Sequence, residues 1–110
     1  MKTLKIPKYN IKDEKEEKVK DAQITFNFIS MGVNSKYPNG LDEEYRRSFA
    51  HIQNKFDKAI EDNEKSVNLE EAEFNLIKNS IQDGKFAAIN SKLVVMLEDA
   101  IEESKSDKKK

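Results

Sequence analysis

Two groups of residues have types and spacings that could do chemistry. The first is Arg46, Arg47, His51 and Lys55, with Lys58 further along, in the stretch YRRSFAHIQNKFDK. A guanidinium pair can clamp a phosphate or a carboxylate, and lysines add point charges. His51 is the chain's only histidine. Without a second histidine, a cysteine or a suitably spaced carboxylate it is a poor metal site, and its spacing supports no nucleophile-and-base pair. The plain reading of this group is a solvated border to a helix stripe. The second group is Glu98, Asp99, Glu102 and Glu103. Separations of three and four put carboxylates on one side of a helix. There they suit a basic partner or mimic a nucleic acid, the simpler alternative being a solvated face.

Nothing else in the chain marks a reaction. Three isolated glycines cannot build the phosphate-cradling loops G-x-x-x-x-G-K-[ST] or G-x-G-x-x-G, and neither H-E-x-x-H nor an EF-hand loop is present. The other carboxylate clusters, Asp42 to Glu44 and Glu70 to Glu73, stand at helix starts, whereas catalytic acids need unusual surroundings. Cysteine is absent, which removes disulfides and thiolate chemistry and fits a reducing cytoplasm. The expectation is a protein that is not an enzyme and has no cofactor or metal.

The elements that must position these groups come from narrow apolar stripes, because apolar residues are 36% of the chain and charged ones 37%. A length of 110 residues suits one domain with one modest core. The net charge of −1 conceals an uneven distribution. Residues 1–21 carry seven Lys/Arg against five Asp/Glu, and residues 63–103 carry four against nine. No apolar run reaches the roughly 20 residues of a membrane span, and the opening MKTLKIPKYNIK lacks the apolar core of a signal peptide. A soluble, cytoplasmic protein is expected.

Along the chain, KTLKIPKYNI reads as an edge strand or extended arm, since Pro7 cannot donate to a ladder. KDEKEEKVKD reads as a solvated turn or a first helical turn. In VKDAQITFNFISM, Val19, Ala22, Phe26 and Ile29 recur at helical spacing, while Ile24, Phe26 and Phe28 alternate as in a strand. Helix is favoured, with a strand paired to residues 3–9 as the alternative. VNSKYPNG is the clearest break. Asp42 then caps a helix whose stripe is Tyr45, Phe49, Ile52, Phe56, Ala59 and Ile60. EDNEKSVN reads as a linker, Asn68 and Glu71 as a capping box, and Gly84 as a C-terminal helix glycine. Ile89 and Val94 are placed as a hydrophobic staple for the last helix.

The predicted fold class is mainly α: about four helices, near 18–31, 42–61, 69–83 and 90–103, around a single core, with an extended N-terminal segment or short β element. The alternative is α+β with an N-terminal β-hairpin. Residues 1–104 form the domain and 105–110 a disordered basic tail.

The extended KTLKIPKYNI, the capped VNLEEAEFNLIKNSI helix and the closing SKLVVMLEDAIEES helix, in that order, resemble small proteins encoded by phages and prophages of low-GC Gram-positive bacteria. The resemblance covers most of the chain and rests on pattern and a Lys/Glu/Asn/Ile-rich composition. It implies a genomic setting and no catalytic residues. Functions that fit are binding of a host or phage protein, inhibition of a defence system, or a virion structural or assembly role. Protein–protein interaction is therefore the expected activity, with a homo-oligomer allowed. The rival is nucleic-acid binding through Arg46, Arg47, Lys55 and Lys58. A DNA-reading last helix is disfavoured, because Lys92 is the one cation near its start.

Overall fold

Residues 21–36 resolve the ambiguous segment as a helix. A computed structural model describes residues 1–106. In it Asp21–Lys36 forms α1, burying Ala22, Ile24, Thr25, Phe28, Ile29, Gly32 and Val33. Ile24 and Phe28 are one turn apart, so the alternation that suggested a strand is the overlap of two buried helical faces. Val19, expected on the stripe, precedes the helix and donates its N–H to the Ile11 carbonyl at 2.8 Å. The helix also runs past residue 31 into the expected break, which Pro38 enforces only from Tyr37 onward.

The remaining elements are β1 (Lys2–Lys5), α2 (Glu43–Asp62), β2 (Ser66–Leu69), α3 (Glu71–Asp83), a 3-10 turn at Ala88–Asn90 and α4 (Ser91–Ser106). The expected tail, 105–110, thus falls on the end of α4 and otherwise lies outside the described residues. The architecture is four helices around one core with a strand at the N-terminus, as the sequence implied, and that strand belongs to a short two-stranded sheet. No helix among the described residues is long and apolar enough to cross a membrane.

The sheet is where the sequence reading needs correction. β1 pairs antiparallel with β2, Leu4 opposite Val67, and not with residues 24–28. The supposed linker EDNEKSVN therefore ends in a strand whose Val67 and Leu69 are buried while Asn68 is exposed. Two buried residues are too short a period-2 signal to stand out, and the strand exists because β1 supplies its partner. Asn68 consequently cannot cap α3. The cap is Glu70, whose N–H donates to Glu73 Oε1 at 2.9 Å. On the free side of β1, the Ser104 hydroxyl of α4 reaches the Thr3 carbonyl at 2.9 Å.

Three further expectations change. Gly84 is extended, with φ −72° and ψ 161°, so a left-handed cap is not its reason for being glycine. A Cβ there would lie 2.5 Å from the Ser80 carbonyl oxygen and 2.9 Å from Gly32 Cα. Gly32 is as constrained, since its Cβ would meet the same oxygen at 2.8 Å. The two glycines let α1 and α3 approach backbone to backbone. Ile89 is no staple: it is 90% exposed while Val94 is buried. Asp42 holds the cap position of α2 but makes no side-chain cap bond.

The core draws on both strands and all four α-helices, with Leu4, Ile29, Ile52, Phe56, Leu69, Phe74, Ile77 and Leu97 fully enclosed. The α2 stripe enters it through Ile52, Phe56 and Ala59. Phe49 and Ile60 are half-buried at its edge, and Tyr45 is 41% exposed against the ring of Tyr37. Phe49 packs on Phe26 with ring centres 5.8 Å apart.

Candidate functional site

The residues singled out on α2 do not form one surface of free charge. Arg46 donates to the Leu41 carbonyl at 2.9 Å, closing the turn before the helix. Arg47 pairs with Glu43 one turn earlier at 3.1 Å. Lys58 pairs with Asp62 one turn later at 2.9 Å. His51 and Lys55, also one turn apart, both face Glu73 of α3. The Lys55 ammonium is 2.6 Å from Glu73 Oε1, and His51 Nδ1 is 3.5 Å from Oε2.

Glu73 is the hub of this contact and was missed as such in the sequence. Its side chain is buried. Burial pushes the carboxyl pKa up, but the Lys55 ammonium, the Glu70 N–H and the neighbouring His51 outweigh it and hold Glu73 below its ordinary value. The group clamps α2 to α3 and fixes the start of α3 at once. Among the described residues no group of three or more His, Cys, Asp or Glu could hold a metal ion.

The acidic residues of α4 lie on the outward side of that helix. Glu98, Asp99, Glu102 and Glu103 are all exposed, with Ala100, Ile101 and Ser104 buried behind them. Val95 shares the outward side of the helix one turn before Glu98 and Asp99, and is 48% exposed. Beside this face lies a shallow groove of about 210 Å³ between α3 and α4, lined by Lys78, Ile81, Gln82, Glu98, Ile101 and Glu102.

A third region had no counterpart in the sequence reading. A cleft of about 610 Å³ opens where the arm after β1, the start of α1, the end of α2 and the start of β2 meet. Ile6, Ala22 and Ala59 supply its apolar wall, and Lys8, Lys18, Lys20 and Lys65 its cations. Lys20 donates to the Ile60 carbonyl at 2.7 Å, tying α1 to the last turn of α2. Lys18 lies 3.7 Å from Asp21.

The arm wall of this cleft is held by a polar chain. The Tyr9 N–H donates to Asp21 Oδ1 at 3.0 Å, and the Tyr9 hydroxyl meets Thr25 Oγ1 at 3.0 Å. Thr25 in turn donates to the Asp21 carbonyl at 3.0 Å. Burial pushes the Tyr9 phenol up to about 12, with Thr25 lowering it and Asp21 raising it. The sequence signal for the cleft was the +2 balance of residues 1–21. Comparison with protein-family models, curated proteins and solved structures found no match.

Proposed function

We propose that the protein is a non-enzymatic binding protein that docks on another protein through the outward face of α4. The observation that carries this reading is Val95, exposed amid Glu98, Asp99 and Glu102 next to a groove whose lining includes Ile81 and Ile101. A solvated face gains nothing from an exposed β-branched apolar residue, whereas interfaces combine an apolar centre with a polar rim. The partner that fits is a protein surface with basic residues around an apolar anchor. Ile89, at the turn that leads into α4 and almost wholly exposed, adds apolar area at the same end of the helix.

The rival reading, nucleic acid on α2, draws less support, because Arg46, Arg47, Lys55 and Lys58 are each engaged by an acceptor within the protein. The resemblance to small phage and prophage proteins fits docking on a host or phage protein in a bacterial cytoplasm, to block it, recruit it or assist virion assembly. The test is a photo-crosslinking residue at position 95 of the full chain, expressed in a Gram-positive host. The expected result is one dominant adduct that disappears in Glu98→Lys/Asp99→Lys while the thermal midpoint is unchanged. Adducts that ignore the charge reversal would contradict the proposal.

A further inference from the structure

The lysine cleft sets a problem that folding alone does not solve. Its lining holds four lysines against Asp21 and Glu64, in a chain whose net charge is −1. Asp21 answers Lys18, and Lys20 is used to cap α2. The Lys8 and Lys65 side chains have no ion pair or hydrogen bond among the described residues, yet the fold brings the arm and the residue before β2 to the same cavity, where the Ile6 N–H donates to the Lys65 carbonyl at 2.9 Å. Gathering like charges in a concave space costs stability and focuses a positive field there. Surface lysines placed only for solubility would be spread apart.

We propose that this cleft binds a small, multiply charged phosphate compound. Its volume, about 610 Å³, falls in the range of small-ligand sites, which run from roughly 300 to 1,000 Å³. Ammonium groups on long stems suit phosphate oxygens as mobile point charges, and the amides of Asn10 and Asn63, which also line the cleft, can donate to the same oxygens. Among the described residues no aromatic side chain lines the cleft, so it offers no platform for stacking a base. Recognition therefore centres on the phosphates, whether they belong to free polyphosphate or to a nucleotide. The positive end of α1 is already occupied by Asp21, and the lysines carry the site.

The test is calorimetric titration of the full-length protein with sodium tripolyphosphate, then with ATP, at low and at physiological salt. Tripolyphosphate should bind at one site, and the affinity should fall as salt rises. Lys8→Glu/Lys65→Glu should weaken it by at least about tenfold, with an unchanged circular dichroism spectrum. Lys92→Glu, a single reversal of the same kind on α4, should shift it by no more than about twofold. ATP binding more tightly than tripolyphosphate would assign the site to a nucleotide, and the reverse order to free polyphosphate. Absence of binding at millimolar tripolyphosphate would overturn the proposal. So would a double variant that binds like the native protein, or a single-stranded oligonucleotide that binds more tightly than either small anion.

Discussion

The lysine cleft and the acidic face of α4 are opposite in charge and in construction. The face belongs to one helix, is convex, and takes its shape from residues within eight positions of each other. The cleft is concave and is assembled from residues 6–22 and 59–65, brought together by the arm, two helix ends and the turn that leads into β2. A single helix turns sequence spacing into a surface by its own periodicity. A cavity between elements exists only through tertiary contacts. Damage to those contacts should therefore reach the cleft first and leave the face of α4 intact.

The largest expected effect is at the close approach of α1 and α3. Gly32→Ala would set a Cβ against the Ser80 carbonyl oxygen, and backbone cannot swing aside as a side chain can. We expect a loss of about 2–3 kcal/mol in denaturant unfolding. A loss near zero would mean that α1 can shift, and that the cleft wall built on its first turn is not fixed.

Next is the Glu73 clamp. Glu73→Ala leaves Lys55 and the Glu70 N–H without their acceptor and should cost roughly 2 kcal/mol at neutral pH. The pH dependence has a definite sign. The folded-state pKa is lowered from the ordinary 4.5, so the contribution is complete above that value and fades as pH falls through the lower folded value. The variant and the native protein should converge in acid. Equal penalties at both pH values would show that Glu73 acts by packing and not by charge.

A smaller effect separates the two regions most sharply. Tyr9→Phe removes one hydrogen bond from the arm and should cost about 1 kcal/mol. It should also weaken tripolyphosphate binding modestly while leaving crosslinking at position 95 untouched. In alkali, the phenol raised to about 12 contributes stability that is full below pH 10 and is lost as pH rises from 10 to 12. Tyr9→Phe should be free of that loss. Smallest of all is Ser80→Ala. Ser80 Oγ is buried with no hydrogen-bond partner among the described residues, so its removal should be neutral or stabilising by up to about 1 kcal/mol, again in denaturant unfolding.

The same contrast explains how much could be read in advance. Four helices, their order and the outward placement of Glu98 and Asp99 follow from stripes and caps. Phe49 shows the limit of that method, since its register on the stripe was right but α2 turns it to the edge of the core, where it is half-buried against Phe26. β2 was hidden because Val67 and Leu69 become a strand only opposite Leu4. Glu73 looked like one carboxylate among several, and only the approach of α2 gives it Lys55 as a partner. Gly84 carried a genuine signal that was assigned the wrong cause, close packing on Gly32 being as glycine-specific as a left-handed cap. The cleft left only a charge balance behind.

The most direct test of two regions with separate tasks is a proton–nitrogen NMR titration of the full chain with tripolyphosphate. The predicted result is a set of shifting amides at Lys8, Asn10, Lys20 to Ala22 and Asn63 to Lys65, with residues 91–104 of α4 unmoved. Shifts concentrated on Arg46, Arg47 and Lys58, or spread along α4, would contradict it.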